Sequence, residues 1–449
     1  MAREIPCFQV WDESATKPSI TTFFSNFRGN KVSPFFFIKK FYSTFFMKVI
    51  RAWKYRIYPS KIQERELFDS LEQCKNLWNS LLDHTKTCYK ETSRFPTRKQ
   101  LYLLTKETSL FSQVSQNVAD RLVKSLKGMI SRRKAGKKAG FPRFKSIERV
   151  TSFTYPQFGF KLDKKLQLSK IGSLAIKKHR HIQGKIKTLT VKKTHSGKWF
   201  AVFTSELEKT KPGKSRKPAV GIDLGIETFA YLSDGKTVEN PRHLKQAEQK
   251  LAESHRQLSR KKKGSRNRRK AKLNVAIAYE KLTNRRRDFL HKASRVLAGN
   301  YSLIAMEDLR VGNMSKGLLA KHVLDCSWAE FSSMLRYKAE EAGSEVILVN
   351  PAHTTQECSS CGLIRKKTLA ERWHECSCGA SMHRDFNAAR NILARCWKAK
   401  LSDRQGAKLS GATSGIGGHQ ACGEETATHY KHNGQVSSLK QEAHGFSHG

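Results

Sequence analysis

The chain has 449 residues, 85 Lys and Arg against 38 Asp and Glu, a formal net charge of +47 and 38% hydrophobic residues. That length and apolar content allow several domains with real cores, and the charge requires a polyanionic partner, either nucleic acid or an anionic membrane. No sustained apolar span of about 18 residues occurs, which argues against a transmembrane helix, and ten cysteines in this length do not make a secreted disulfide scaffold.

Residues 1–46 are rich in Phe (Phe35, Phe36, Phe37, Phe45, Phe46), broken by Lys39 and Lys40, and lack a small-residue cleavage site. They are read as a disordered extension rather than a signal peptide, with Met47 opening the folded unit. From Met47 to Tyr58 the residues alternate, with Val49, Arg51, Trp53, Tyr55 and Ile57 on one face and a stop at Pro59, which predicts a strand. Ser60 and Gln63 have capping-box spacing, and Leu67, Leu71, Cys74, Trp78 and Leu81 follow at helical spacing, so Trp78 is assigned to the core. A second helix is predicted near Ser115 to Arg133, with Val118, Leu122 and Leu126 on one face. Gln116, Asn117, Arg121 and Lys124 cluster at its start as candidate nucleic-acid contacts. Gly136, Gly140 and Pro142 break the basic stretch that follows.

Residues 150–208 change period. Thr151–Tyr155, Leu166–Leu168, Ile186–Lys193 and Trp199–Glu206 alternate, and Ser196-Gly197 makes a hairpin turn between the last two. A small antiparallel, barrel-like β domain is expected, joined by the first strand, with the helices inserted. Lys209 to Pro218 is a linker.

Two buried-strand patterns then end in acids. Asp223 sits in Val220-Gly221-Ile222-Asp223-Leu224-Gly225, and Glu307 in Leu303-Ile304-Ala305-Met306-Glu307-Asp308-Leu309. Between them, after a hairpin turning at Asp234-Gly235, Leu244, Leu251 and Leu258 begin an antiparallel helical hairpin interrupted at Lys261–Asn267. Its charges have one sign: Arg266, Arg268, Arg269 and Lys270 lack acidic neighbours, which favours phosphate contacts over a salt-bridged solvated face. Ser327 and Glu330 have capping-box spacing before Trp328, Phe331, Leu335 and Ala339; Gly343 ends that helix and Val346–Val349 is a strand. A third acid, Asp385, opens a helical pattern. One such acid is an ordinary strand end; three in these contexts on so basic a chain suit hard divalent cations, which take oxygen ligands. Two such ions, about 3.5–4 Å apart, clamp the attacking and leaving oxygens of a phosphodiester.

Cys358-x-x-Cys361 and Cys376-x-Cys378 have the spacing of a tetrahedral zinc site, although the second half is one residue short. His374 is the alternative fourth ligand, and disulfide pairing is the alternative to metal. Residues 401–449, rich in Gly, Ser, Thr, His and Gln, predict a disordered tail.

Taken together, Gly221–Gly225, Met306–Leu309, Cys358–Gly362 and Arg384–Asn391, with Phe141–Phe144 and Lys261–Lys272, resemble the TnpB proteins of insertion sequences, compact relatives of type V CRISPR effector nucleases. The resemblance runs from about Met47 to Lys400; the first 46 residues, the short C-x-C half and Phe386 depart from it. It implies a multidomain α+β and α/β fold. A RuvC-like nuclease domain of RNase H fold would span 219–354 and 381–400, with a basic helical hairpin at 243–298 and an inserted zinc ribbon at 355–380. A wedge β-barrel at 47–58 and 134–208 would carry a helical recognition domain at 59–133.

The implied activity is RNA-guided DNA cleavage by Asp223, Glu307 and Asp385, with Asp223 bridging two Mg²⁺ ions (Mn²⁺ as substitute). One structural Zn²⁺ would sit on Cys358, Cys361, Cys376 and Cys378. Arg384 is either a contact to the scissile phosphate or a surface arginine. The partners are a guide RNA from the transposon end and double-stranded target DNA beside a short motif. No membrane is involved; the protein is expected as a monomer on its RNA in the cytoplasm of a prokaryotic cell, on the nucleoid. A catalytically silent guided repressor and an accessory transposition protein are the alternatives.

Overall fold

The alternation that begins at Met47 builds a long strand, β1 (Phe46–Tyr58), which buries Trp53, Tyr55 and Ile57 and stops before Pro59. This is a computed structural model, and it describes residues 46–210, 212–213, 215–309, 311–314, 320–368 and 370–411. Apart from Phe46, the expected N-terminal extension lies outside the described residues. Helix α1 (Lys61–Thr92) opens with both halves of the Ser60–Gln63 capping box in place. A short helix that sequence periodicity did not mark, α2 (Arg98–Leu104), has its own capping box at Thr97 and Gln100. Helix α3 (Ser112–Lys134) follows.

The chain then returns through β2 (Ser152–Tyr155), β3 (Phe160–Leu162), β4 (Leu166–Leu168), β5 (Gly172–Lys177), β6 (Lys185–Lys193) and β7 (Trp199–Thr210). These make a seven-stranded antiparallel sheet in the order β2-β6-β7-β1-β5-β4-β3. Its edges come close, with the Tyr155 and Phe160 rings 6.4 Å apart, so the sheet is nearly closed. The inserted helices have no core of their own. Leu67, Leu71, Trp78 and Leu81 of α1 and Val118 and Leu122 of α3 belong to one cluster with Tyr55, Phe153 and Phe203 of the sheet. Each such side chain contributes roughly 1.5–3 kcal/mol when fully buried. Trp78 is core, its indole N–H donating to the Arg143 carbonyl at 3.2 Å.

The second half comprises β8 (Ala219–Leu224), β9 (Thr228–Leu232), β10 (Thr237–Glu239), α4 (His243–Ser259), α5 (Arg266–Asn300), β11 (Leu303–Glu307), α6 (Val311–Met314), α7 (Ala320–Cys326), α8 (Trp328–Glu341), β12 (Glu345–Val349), β13 (Trp373–Glu375), β14 (Ser381–His383) and α9 (Arg384–Gly411). Its main sheet has the order β10-β9-β8-β11-β12. β8, β9 and β10 form an antiparallel meander, whereas β8, β11 and β12 run parallel. The chain leaves β8 toward one edge and returns on its other side at β11. The carboxyl ends of β8 and β11 therefore lie together where the order reverses, the place where open α/β sheets bind ligands.

Strand alternation sorts the faces. Val220, Ile222, Ile304 and Met306 pack with Leu290 and Leu297 of α5 and Phe331 and Leu335 of α8. Leu303 and Ala305 pack on the other face with Ile392 and Cys396 of α9. That second face depends on Gly221: a Cβ there would lie 2.1 Å from the Ala389 carbonyl oxygen and 2.8 Å from the Leu393 nitrogen. Only glycine lets α9 come this close to β8.

Two local expectations differ. The Ser327–Glu330 capping box does not form, because Ser327 takes a left-handed φ of 52° and its hydroxyl donates to Leu324 O, while Glu330 pairs with Arg287 at 2.8 Å. Helix α9 continues past Lys400 to Gly411, its residues from Trp397 forming a separate unit; the rest of the expected tail lies outside the described residues. Gly343 does end α8, with φ of 73°. Among the described residues, no helix is long and apolar enough to cross a membrane.

Candidate active site

Asp223 is the penultimate residue of β8 and Glu307 the last of β11. Met306 pairs with Ile222, so Asp223 and Glu307 come next in register and leave the sheet on the face that α9 covers. Asp385 stands in the first turn of α9, directly after β14. Asp223 is only 8% exposed. Burial pushes its carboxyl well above the ordinary range, and the charges of Glu307 and Asp385 push it further, so both acids lie within electrostatic reach of it. Arg384 and the Leu224 backbone N–H offset part of this. Burial also raises Glu307, against a 2.5 Å hydrogen bond from the Thr354 hydroxyl and the charge of Arg395.

The start of α9 is tied down on the sheet side. The Arg384 Nε donates to Asp385 Oδ1 at 3.1 Å, and the Asp385 N–H donates to His383 Nδ1 at 3.3 Å. The His383 ring stacks on Tyr231 of β9, with centroids 4.7 Å apart and planes 16° from parallel. Asp308 is exposed, and its backbone N–H donates to Val349 O at 2.8 Å. A buried Asp223 repelled by two half-buried carboxylates suits hard divalent cations, which would replace the repulsion with attraction.

The four cysteines converge without bonding to one another. Their sulfurs all lie within 4.8 Å, with Cys358–Cys378 at 3.7 Å and Cys361–Cys376 at 3.5 Å, and every one is a free thiol. A tetrahedron with metal–sulfur bonds of about 2.3 Å has edges of about 3.8 Å, so the set fits one zinc ion, and no two of the four are bonded as a disulfide. His374 lies outside the four. It is fully buried on β13 and its Nδ1 accepts from Lys367 Nζ, so the four converging ligand atoms are the cysteine sulfurs. The short C-x-C half closes through its own backbone: Cys376 N–H donates to Ala380 O and Gly379 N–H to Cys376 O, both at 2.9 Å. Backbone donation from Cys378 brings the Cys376 thiol down to about 6, favouring the thiolate a metal needs.

The basic candidates divide by their partners. Arg266, Arg269, Lys270 and Lys124 are exposed. Arg268 instead closes the turn between α4 and α5, donating to Leu258 O at 2.9 Å and Lys261 O at 2.8 Å. Arg121 donates to Ser152 O at 3.0 Å and Thr154 Oγ1 at 2.7 Å, pinning α3 to β2. Arg384 also donates to Glu371 O at 2.8 Å. Gln116 and Asn117 are half-buried near the start of α3, and Gln116 lines a 340 Å³ hollow with Lys99, Lys106 and Tyr102. Sequence reasoning missed Thr354, His383, Asn387 and Asn391. The available signal was a pair of asparagines four residues apart, beside Ala388 and Ile392 on an otherwise apolar helix face.

Residues 202–317 match the OrfB_IS605 family, described as a probable transposase, and residues 328–392 match the Cas12f1-like TNB domain. Residues 47–94 match the OrfB_IS605 helix-turn-helix domain, a span that here holds β1 and the single long helix α1. A Streptomyces pristinaespiralis protein named "Putative RNA-guided DNA endonuclease" is 34% identical over 77% of this chain and 89% of its own length. The chain belongs to the TnpB family. Another TnpB relative, "Putative RNA-guided DNA endonuclease InsQ" of Escherichia coli (strain K12), is 32% identical over 78% of this chain and 92% of its own length. The TnpB fold is also similar to the Cas12f1 chain in a cryo-EM complex of Cas12f1, sgRNA and target DNA, with a TM-score of 0.53 at 14% identity, over 77% of this chain and 98% of that one.

Proposed function

We propose that this TnpB protein is an RNA-guided DNA endonuclease that cuts phosphodiester bonds at Asp223, Glu307 and Asp385. The observation that carries this is that Asp223 and Glu307 end neighbouring parallel strands at the switch point of the sheet, with Asp385 close enough for its charge to raise Asp223. The strand order, with an antiparallel meander beside parallel strands, supports an RNase H-like nuclease of the RuvC type. The relatives named as RNA-guided DNA endonucleases match over 89% and 92% of their own lengths.

Asp223, set between the other two acids, would hold both divalent cations, Mg²⁺ with Mn²⁺ as substitute, while Glu307 and Asp385 each complete one. Such cations supply an activated water and neutralise the developing phosphoryl charge. The chain's own part is to hold Asp223 and Glu307 at adjacent strand ends and to hold Asp385 with Arg384. Cys358, Cys361, Cys376 and Cys378 would take one structural Zn²⁺. The seven-stranded sheet serves as the wedge domain, and α1 to α3 as the recognition helices. The partners are a guide RNA from the transposon end and double-stranded DNA. Pairing reads the sequence, while the protein reads a short adjacent motif and backbone shape. A net charge of +47 suits two polyanions. The protein acts as one copy on its RNA, inside the prokaryotic cell that holds both. A silent repressor would not need the three acids kept together.

The test is to sequence the RNA that copurifies from cells carrying the native flanking DNA. The complex is then offered a plasmid library with matched targets and randomised flanks. Cleavage beside one enriched motif, dependent on Mg²⁺, is expected; guide-dependent binding without cleavage would reject the nuclease.

A further inference from the structure

Glu307 ends its strand, so β11 fixes its backbone but leaves the carboxylate free to turn. The loop after β12 supplies what the strand does not. Thr354, 2% exposed, brings its hydroxyl to 2.5 Å from Glu307 Oε1. The hydroxyl has one proton and a second acceptor, Pro351 O at 3.1 Å; the charged oxygen is the nearer and stronger one. Donation to Oε1 leaves Oε2 for a cation.

Thr354 is itself held from α9. Asn391 Nδ2 donates to Thr354 O at 2.9 Å and to Glu357 O at 2.6 Å. One turn earlier, Asn387 Nδ2 donates to Glu357 O at 2.7 Å, and its Oδ1 accepts from the Ser359 N–H at 2.8 Å. Arg395 closes the far side, donating to Glu357 Oε2 at 2.6 Å and Asn350 O at 2.9 Å. Asn387 and Asn391 are buried, at 0% and 4% exposure, and buried amides that satisfy loop carbonyls are costly to move. One helix therefore carries Asp385 directly, sets Glu307 through Thr354, and grips the residue next to Cys358.

We propose that Thr354 is a positioning residue for the Glu307 carboxylate, held in place by the Asn387–Asn391 ladder, which also couples the cysteine cluster to the carboxylate site. This rests on the nuclease assignment above, and the test separates the two. The full chain, purified with its guide RNA, is titrated with Mn²⁺ and followed by EPR. The Asp223→Ala complex serves as the blank for ions held by RNA.

Thr354→Val should weaken the Asp223-dependent Mn²⁺ binding about 10–100-fold. It should raise the half-saturating Mg²⁺ for cleavage in parallel and let excess Mg²⁺ restore the rate. Thr354→Ser, which keeps the hydroxyl, should stay near wild type, and Asn391→Ala should fall between. If the Val variant misfolds, Thr354→Ala against Thr354→Ser decides by the same comparison. Unchanged Mn²⁺ affinity in the hydroxyl-less variant, or loss in the Ser variant as well, overturns the positioning role. Identical titrations for the wild-type and Asp223→Ala complexes would instead overturn the carboxylate site itself.

Discussion

The carboxylate site and the cysteine cluster stand at opposite ends of one asparagine ladder, yet different forces hold them. Around Asp223 and Glu307 the backbone is fixed by fully buried Val220, Ile222, Ile304 and Ala305. The acids are held together in spite of their repulsion because burial of the surrounding core outweighs it. Around the thiols there is little to bury: β13 and β14 are three residues each, and Leu363, Ile364 and Trp373 are more than half exposed. Folding energy sets up the first site; at the second, a bound zinc ion would supply folding energy.

Metal removal is the sharpest way to break this comparison. Chelation of zinc, or Cys376→Ser, should cost the ribbon on the order of 10 kcal/mol of local folding free energy. Hydrogen exchange should show lower protection over residues 355–383 with β8 and β11 still protected. Equal loss in both regions would mean a single cooperative unit. Next comes the packing of helix on sheet. A Gly221→Ala side chain would collide with the Ala389 carbonyl, since its Cβ would lie 2.1 Å away. It should destabilise by at least about 1–3 kcal/mol and displace Asp385, read by thermal melting and by cleavage rate.

The third prediction has the opposite sign. The folded-state pKa of Asp223 is raised, so its ionised form is penalised. The stability tied to this group is fully present below the unfolded pKa, about 3.9, and is lost as pH rises through the folded value. At neutral pH, without divalent ions, Asp223→Asn should therefore melt higher, while cleavage is abolished. Added Mg²⁺ should stabilise the wild type and not the variant. The smallest effect belongs to the surface. Combined Arg266→Ala, Arg269→Ala and Lys270→Ala should leave melting unchanged. The same variant should flatten the log–log salt dependence of nucleic-acid binding by about 0.7–0.9 for each phosphate that it no longer neutralises. Arg268→Ala should instead loosen the α4–α5 turn that it closes.

Much of this architecture is written in local patterns. Strand alternation at 47–58 and 199–206, the capping box at Ser60 and the apolar runs before Asp223 and Glu307 report burial directly, and burial decides those elements. The four thiols were legible for the same reason, because ligand spacing is local. What was not legible depends on distant partners. Ser327 looked like a cap, but Glu330 is claimed by Arg287 from another helix. Arg121 and Arg268 looked like free cations, but backbone carbonyls elsewhere take them. Thr354 gives no sequence signal at all, because its role exists only once β11, the loop after β12 and α9 are brought together.

The most direct test of the central claim is single-turnover cleavage of a labelled duplex matched to the guide. The chain is compared with Asp223→Ala, Glu307→Ala and Asp385→Ala, each loaded with the same RNA. The account predicts that all three variants bind the matched duplex and fail to cut it in Mg²⁺. Cutting at the wild-type rate by any one of them would contradict the three-carboxylate site.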